Sequence, residues 1–330
     1  MAQILKATDH TLELCKHALE SSKVIAVPTE TVYGLAGNAL DEVALLSIFK
    51  IKGRPLFNPL IIHTDCVGSA EKYATFNSLA RQLVDEFWPG PLTVILPKKA
   101  IIPDLVTANL DSVAIRCPRN PTFLKLLQAL SFPLAAPSAN PFGYVSPTTA
   151  QHVKASLGDK IDIILDGDDC EIGIESTIVD LRDPNKPKVL RPGPISKEAL
   201  ETITNVKFEQ KLATDEKVLR GPGMLKSHYS PVTPLEIISL DSLKDLISLD
   251  NKSKFAFIFQ KRPKETIMQE RPNIYWLSED GLISEIAHNL YQLLRTVDTL
   301  NYQNIYIEAI NNNEGMKTAL KDRLSKAASK

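Results

Sequence analysis

The sequence predicts a two-domain α/β protein in which strands and helices alternate on both sides of a polar connecting segment. The length of 330 residues suits about two domains. Short apolar runs such as VIAV (24–27) are typical of buried strands, and they alternate with segments whose apolar residues recur at helical spacing. Around residues 205–234 the chain becomes polar and is then broken by Pro and Gly, as expected of a linker.

The predicted elements follow one another closely. In the first domain, helices are predicted at 8–21, 41–50, 79–87 and 123–129, and SPTT (146–149) is predicted to cap and begin a further helix. Strands are predicted there at 24–27, 60–62, 92–96, 112–116, 133–140, 161–165 and 178–181. In the second domain, strands at 235–238, 255–259, 274–276 and 305–307 accompany helices at 243–249 and 282–298.

Composition is that of an ordinary globular protein. Hydrophobic residues make up 44% of the chain, charged residues 23%, and the formal net charge is -1. No overall field attracts nucleic acid, so any basic site must be local. The four cysteines form no CxxC pair, which favours a reduced, cytoplasmic chain without a zinc site. Because we find neither a signal peptide nor an apolar run of membrane-spanning length, we expect no membrane association.

Three basic residues, Lys50, Lys52 and Arg54, lie between the second predicted helix and the next strand. Gly53 is placed to end the helix and Pro55 prevents its continuation, so the cluster should lie on a loop. Lysines in a last helical turn can simply complement the helix dipole. Arg54 lies beyond the helix, however, which favours a loop that holds cations against a polyanion.

Polar side chains also border several predicted strands. Asn58 and His63 flank the 60–62 strand, TET (29–31) follows the 24–27 strand, and Arg116 ends the 112–116 strand. Open α/β sheets bind ligands at such edges, and an arginine there can hold a carboxylate through two hydrogen bonds. Each feature also has a plain structural interpretation, as a turn with local hydrogen bonds or as a surface charge.

Standard nucleotide and metal motifs are absent from the sequence. It contains no GxxxxGK[ST], GxGxxG, HExxH or GxSxG motif, and DGDD (166–169) lacks the spacing of a calcium loop. A nucleotide site would have to use lysine, arginine, serine and backbone donors. Ser138 and Asn140 at a strand exit, and Ser146 near a predicted helix N-terminus, are suitable candidates.

Eight collinear segments resemble the threonylcarbamoyl-AMP synthase family in its long form, a YrdC-like domain followed by a C-terminal extension. They are PTETVYGL (28–35), KGRPLFNPL (52–60), FWPGPLT (87–93), SVAIRCP (112–118), APSANPFGYVSPTTA (136–150), ESTIVD (175–180), LRPG (190–193) and PGMLKSHYSP (222–231). Lys52, Arg54, Ser138 and Asn140 match the family's KxR…SxN signature. The last segment keeps PGM and HY but has LKS (225–227) where some members carry a basic-aromatic-basic trio.

The resemblance implies a YrdC-like twisted mixed sheet with helices, a linker, and a smaller Rossmann-like α/β domain. We place the catalytic domain at 1–205, the linker at 206–233 and the C-terminal domain at 234–330. His228 and Tyr229 lie where the linker could reach back to a nucleotide. The linker can therefore act as a lid that excludes water, the alternative being a simple tether.

The resemblance also implies an activity, the synthesis of threonylcarbamoyl-AMP and pyrophosphate from L-threonine, bicarbonate and ATP, for threonylcarbamoyladenosine in tRNA. The family signature assigns catalytic roles to Lys52, Arg54, Ser138 and Asn140. The implied threonine contacts are Thr31, His63, Arg116 and Ser176. The implied ATP contacts are Arg54, Asn58, Ser112, Ser138, Ser146, Arg191 and Tyr229, to which we add Lys50 because its charge suits phosphate.

Mg²⁺ is expected to accompany ATP, but the sequence assigns no metal ligand. Expected partners are the downstream proteins that transfer the threonylcarbamoyl group to tRNA, with weak or no direct tRNA binding. One alternative function is a carbamoyl-transfer module like that of hydrogenase maturation factors, but those are longer chains with zinc-finger cysteines. Another is an RNA-binding protein, which the near-zero net charge and the lack of RNA motifs disfavour.

Overall fold

The computed structural model describes residues 1–210, 228–250, 253–312 and 314–329, apart from the side chain at 267. Within these residues the strands form two sheets, one of eleven strands and one of four. No helix in the described ranges combines the length and the apolar character that crossing a membrane would need.

The larger sheet is mixed, with strand order β1-β8-β2-β3-β7-β4-β6-β5-β9-β10-β11. Its strands are β1 (Gln3–Lys6), β2 (Ile25–Val27), β3 (Gly34–Asn38), β4 (Ile61–His63), β5 (Leu92–Pro97), β6 (Ser112–Arg116), β7 (Leu134–Ala135), β8 (Ile163–Asp166), β9 (Thr177–Asp180), β10 (Lys188–Arg191) and β11 (Glu209–Gln210). The helices around it are α1 (Asp9–Glu20), α2 (Glu42–Lys52), α3 (Val67–Ala70), α4 (Ser78–Phe87), α5 (Asp104–Thr107), α6 (Pro121–Gln128), α7 (Ala150–Leu157) and α8 (Lys197–Thr204).

The smaller sheet is parallel throughout, with strand order β12-β15-β13-β14. Its strands are β12 (Leu235–Ile238), β13 (Phe255–Lys261), β14 (Ile274–Ser278) and β15 (Asn304–Glu308). They alternate with α9 (Leu240–Leu249), α10 (Thr266–Gln269), α11 (Ile283–Asp298) and α12 (Met316–Ala327). This parallel α/β unit confirms the predicted fold class.

Local sequence explains how α2 presents the basic cluster. The side chain of Asp41 caps its first turn by accepting a hydrogen bond from Val43 N, and Gly53 ends it in the left-handed conformation at φ 63°. Successive helical residues are rotated by about 100°, so Lys50 and Lys52 point to different sides. Lys50 is exposed, whereas Lys52 is buried.

One predicted helix start is wrong. The helix α7 begins at Ala150, and its N-cap is Thr149, whose side chain accepts a hydrogen bond from His152 N. Ser146 therefore precedes the helix rather than beginning its first turn. Its hydroxyl donates instead to Glu175 Oε1 at 2.6 Å, a distant partner that the local pattern could not indicate.

The second domain packs closely on the first. Gly173 has a positive φ of 85°, and a Cβ atom there would lie 2.5 Å from Ala287 O in α11. The guanidinium of Arg295 donates to Ser146 O at 3.2 Å and to Ser156 Oγ at 2.9 Å. Because side chains of α11 bond directly to the first domain, the two sheets belong to one packed structure. The boundaries placed at 205 and 233 stay predictions, and residues 211–227 of the predicted linker lie outside the described ranges.

Candidate active site

A pocket with about 570 Å³ of empty space lies on the larger sheet beside residues 228–229. It combines polar residues at the exits of β2, β4, β6 and β7 and at the start of β9 with the end of the linker. Of the residues predicted for the site, it is lined by Thr31, Arg54, His63, Arg116, Ser138, Ser176, Arg191 and Tyr229. Residues far apart in sequence therefore share one cavity.

One end of the pocket is built by the ends of β4 and β6, where His63 and Arg116 are paired in register. Arg116 Nη1 donates to Thr31 Oγ1 at 3.0 Å, and Nη2 lies 2.7 Å from Glu30 Oε1. Burial, and then the charge of Arg116, lower the pKa of His63 to about 3. The imidazole is therefore neutral at pH 7, and Arg116 is held in a fixed orientation.

Another part of the wall is formed by Arg54, which is buried and makes three hydrogen bonds to neutral oxygens. Nη2 donates to Asn58 Oδ1 at 2.6 Å and to Pro59 O at 2.8 Å, and Nε donates to Asn58 O at 3.1 Å. Burial is the largest cause of a pKa below the ordinary value for Arg54. Since Ala114 pairs with Ile61 across β6 and β4, Ser112 comes level with Pro59 on this side of the site.

Three of the four signature residues, Lys52, Ser138 and Asn140, are linked by hydrogen bonds. Lys52 Nζ donates to Ser138 O and, at 2.6 Å, to Asn140 O, and burial lowers its pKa well below the usual range. Asn140 Nδ2 in turn donates to Tyr144 O at 2.8 Å. Ser138 lines the pocket, whereas Lys52 and Asn140 hold the loop that presents it.

The start of β9 and the end of β10, which are antiparallel neighbours, lie against each other at the pocket. Arg191 Nε donates to Ser176 O at 3.0 Å, and Nη2 donates to Ser176 Oγ at 2.9 Å. Gly193 makes this contact possible, because a Cβ atom there would lie 2.4 Å from Thr177 N. Arg191 and the Ser176 hydroxyl therefore form a fixed pair of polar groups.

The end of the linker closes one side of the pocket. Tyr229 has a positive φ of 64°, and its ring stacks on Tyr291 with centroids 5.8 Å apart. Among the described residues, His228 Nδ1 and the Tyr229 hydroxyl are buried and have no hydrogen-bond partner. Buried polar groups in native structures are usually paired, so these two atoms are suited to a ligand.

Glu175 lines the pocket and was not predicted as a site residue. Its carboxylate accepts hydrogen bonds from Ser146 Oγ and, at 2.7 Å, from Arg323 Nε. Burial favours the neutral form, but Arg323, Arg191 and the hydrogen bonds outweigh it and lower the pKa of Glu175 to about 2. Glu175 and Glu30 could have been found as the acidic residues of EST (175–177) and TET (29–31), both beside predicted strands.

Several predicted site residues lie beside the pocket rather than in its lining. Lys52, Asn58, Ser112, Asn140 and Ser146 are buried in its walls. Lys50 is different, since it is exposed on α2 and outside the lining, so its position does not support an ATP contact. A ligand carboxylate that pairs with Arg116, as predicted, would compete with Glu30, whose Oε1 lies 2.7 Å from Nη2.

Fold and site together define a two-domain α/β protein with an arginine-lined pocket for anionic small molecules. Comparisons with known proteins then identify the family. The Sua5/YciO/YrdC family model, described as "Telomere recombination", matches residues 17–193. A second model, "Threonylcarbamoyl-AMP synthase, C-terminal domain", matches residues 195–329.

Similar proteins carry the same name. A threonylcarbamoyl-AMP synthase of Pyrococcus abyssi is 36% identical over 94% of this chain and 92% of its own length. One of Bacillus subtilis is 35% identical over 98% of this chain and 94% of its own. The crystal structure of P. abyssi Sua5 complexed with L-threonine superposes with a TM-score of 0.89 at 33% identity, covering 99% of this chain and 97% of that one. The chain belongs to the threonylcarbamoyl-AMP synthase family.

Proposed function

We propose that this protein is an L-threonylcarbamoyladenylate synthase, which converts L-threonine, bicarbonate and ATP into threonylcarbamoyl-AMP and pyrophosphate. The observation that carries the proposal is the convergence of Arg54, Arg116 and Arg191 on one pocket. A site for this reaction must bind a carboxylate, a carbamate and a triphosphate together, and clustered guanidinium groups suit all three.

The reaction needs positioning and charge stabilisation more than a strong base. The amine of threonine and bicarbonate form a carbamate with loss of water. A carbamate oxygen then attacks the α-phosphorus of ATP, a new P–O bond forms, and the bond to pyrophosphate breaks. Arg54 and Arg191 are suited to stabilise charge on the phosphates as this happens.

The threonine end of the pocket is proposed to be the part around Thr31, His63, Arg116 and Ser176. In support, L-threonine is bound in the similar P. abyssi structure named above. A threonine carboxylate can bind Arg116 only by displacing Glu30 or by using the donors that Glu30 leaves free. A neutral His63 adds hydrogen-bonding capacity without a further charge.

The ATP end is proposed to comprise Arg54, Arg191 and Tyr229 in the lining, with Asn58, Ser112, Ser138 and Ser146 near the phosphates or the nucleoside. Lys52 is proposed to act by holding the Ser138–Asn140 loop, in agreement with its two carbonyl partners. This role explains why Lys52, which has no carboxylate partner among the described residues, is buried.

Mg²⁺ is proposed to enter as part of the substrate Mg·ATP. Within the described residues no cluster of three acidic, histidine or cysteine side chains could hold a metal ion. Glu175, the carboxylate in the pocket lining, is already bonded to Arg323. Phosphate oxygens and water would therefore supply most Mg²⁺ ligands, as is usual for this ion.

Two further roles are proposed. The product would pass to proteins that transfer the threonylcarbamoyl group to tRNA in the cytoplasm, with little direct tRNA binding by this nearly neutral chain. Residues 206–233 would act as a lid, for which His228 and Tyr229 at the pocket are the support. Limited proteolysis of the free chain is expected to cut near Lys217 or Arg220, and more slowly with threonine and ATP bound; this central part of the linker lies outside the described residues.

Pyrophosphate release tests the proposed function. We expect release only when L-threonine, bicarbonate and ATP are all present, with Mg²⁺. Omitting bicarbonate from degassed buffer, or replacing L-threonine by L-valine, should reduce release to background. Release that is independent of threonine and bicarbonate would contradict the proposal and would favour a plain nucleotide hydrolase. A chain ending after Asn205 should release far less pyrophosphate, and because that chain also lacks Arg323, His228→Ala/Tyr229→Ala in the full chain isolates the contribution of the lid.

A further inference from the structure

The second domain contributes a fully buried arginine to the wall of the pocket. Arg323 lies on α12 and is 0% exposed. Its Nε donates to Glu175 Oε2 at 2.7 Å, and Nη2 donates to Pro192 O at 3.0 Å. One side chain of the second domain thus holds both the carboxylate in the pocket lining and the backbone next to Arg191.

Glu175 connects this arginine to residues of the proposed ATP end. One carboxylate oxygen accepts the Ser146 hydroxyl at 2.6 Å. The other accepts Arg323 and, at 3.1 Å, the Tyr291 hydroxyl of α11. Two elements of the second domain therefore fix the carboxylate, and the carboxylate fixes the Ser146 hydroxyl.

We propose that Arg323 is a positioning residue for the nucleotide, acting through Glu175 on Ser146 and through Pro192 on Arg191. The inference rests on the proposed function, because it takes Ser146 and Arg191 as ATP contacts. It assigns the second domain a direct part in ATP binding. Threonine should depend on it less, since Thr31 and Arg116 have no direct contact with Arg323, and Ser176 is linked to it only indirectly, through Arg191.

Removing Arg323 should change the charge state of Glu175. Groups that face Glu175 are Arg191, Arg323, His228, Tyr229 and Tyr291. Without Arg323, burial of the carboxylate would be poorly compensated, and the pKa of Glu175 would rise from about 2 toward neutrality. An ionised Glu175 would then repel phosphate, and its protonation would relieve that repulsion.

The experiment measures binding of α,β-methylene-ATP and of L-threonine by calorimetry between pH 6 and 8. For Arg323→Met we expect ATP-analogue affinity to fall by about 10- to 100-fold at pH 7.5. Threonine affinity should fall by much less than analogue affinity, because only Ser176 among its proposed contacts is bonded to Arg191. Arg262→Met is the matched control, since that exposed arginine of the same domain pairs with Glu279 and stacks on Trp276.

The pH profile separates positioning from simple structural support. In Arg323→Met the analogue should bind more tightly as the pH falls, because Glu175 becomes protonated. This pH dependence should vanish in Glu175→Gln/Arg323→Met. The double variant should recover thermal stability, because it leaves no unpaired buried charge, while its analogue affinity stays low. Arg323→Lys should lie between wild type and Arg323→Met in analogue affinity.

A pH-independent loss in Arg323→Met would overturn the proposal, as would wild-type analogue affinity in the double variant. An equal loss of threonine binding would also overturn it, because that would indicate general damage to the pocket. These binding measurements do not use turnover. A wild-type chain that binds the analogue but fails to make threonylcarbamoyl-AMP would therefore refute the proposed function without deciding the role of Arg323.

Discussion

Buried charged side chains have different partners in the pocket and in the contact between the two domains. In the interdomain contact Arg323 pairs with Glu175 and Asp322, and Lys326 pairs with Asp322. In the pocket, Arg116 has the counter-ion Glu30, whereas Arg54 and Arg191 bond to carbonyl, amide and hydroxyl oxygens. Burying a charge without a counter-ion is costly, so the pocket is suited to an anionic ligand and the contact is suited to stay closed.

The largest expected effect comes from removing a pocket cation. Arg54→Ala should lower the rate of threonylcarbamoyl-AMP formation by about 30- to 1,000-fold, from a loss of about 2–4 kcal/mol of transition-state stabilisation. Lys52→Ala should have a similar effect, because Ser138 O and Asn140 O lose their shared donor. Pyrophosphate release under saturating substrates measures both variants, and circular dichroism checks that they fold. Near-normal release would remove these residues from the site.

A second test addresses the two ends of the pocket. Arg116→Ala should weaken L-threonine by about 10- to 100-fold, the usual cost of losing a charged hydrogen-bond partner, and ATP by much less. Calorimetric titration with each ligand measures the difference. Arg119→Ala, three residues after Arg116 in the chain, is a suitable control, because that half-exposed arginine pairs with Glu171. Equal losses for both ligands, or a loss for ATP alone, would contradict the assignment.

A third test addresses the interdomain contact. Gly173→Ala adds a methyl group 2.5 Å from Ala287 O and should destabilise the chain by about 1–3 kcal/mol beyond backbone strain. Gly143→Ala isolates that strain, since Gly143 has nearly the same φ, 83°, and open space around the added atom. Urea unfolding compares the two variants. Equal losses of stability would show that the close approach of α11 contributes nothing.

The smallest expected effect is on stability at acid pH. Burial lowers the pKa of both His63 and His228 from 6.5 to about 3. Below pH 6.5 the unfolded chain therefore binds protons that the folded chain does not, and stability falls as pH decreases. At pH 5 each histidine should cost about 1–2 kcal/mol relative to pH 7.5.

Urea midpoints at pH 7.5 and pH 5 measure this loss. In His228→Asn the loss should be smaller than in wild type, whereas in His10→Asn, a change at an exposed position, it should be unchanged. An identical loss in all three chains would show that His228 does not contribute.

Local sequence predicted the helices and strands whose apolar residues are regularly spaced and whose ends are marked by capping residues, Gly or Pro. The helix predicted at 8–21 is present as α1, with Thr8 as its N-cap, and the predicted end of α2 at Gly53 is confirmed. The strand β3 was missed because GLAGN (34–38) contains two glycines and an asparagine, residues that disfavour strands until neighbouring strands support them. Helix α12 was missed because its buried face includes Arg323 and Lys326, which a hydrophobic pattern treats as exposed.

In the site too, local sequence and the resemblance predicted some residues, whereas others depend on tertiary contacts. The resemblance and the strand ends brought forward eight residues that line one pocket. Lys50 was included because of its charge, although its place on the exposed side of α2 depends on helix rotation relative to the sheet. Glu175 and Arg323 could not be paired from sequence, since 148 positions separate them and their contact depends on docking of the second domain.

The identity of the reaction product tests the central claim most directly. With ¹³C-bicarbonate, L-threonine and Mg·ATP, mass spectrometry should detect threonylcarbamoyl-AMP carrying one heavy carbon, together with an equal amount of pyrophosphate. The Arg54→Ala variant should yield about 30- to 1,000-fold less of both in the same time. An unlabelled adenylate of threonine, or ADP and phosphate in place of pyrophosphate, would contradict the account of this pocket.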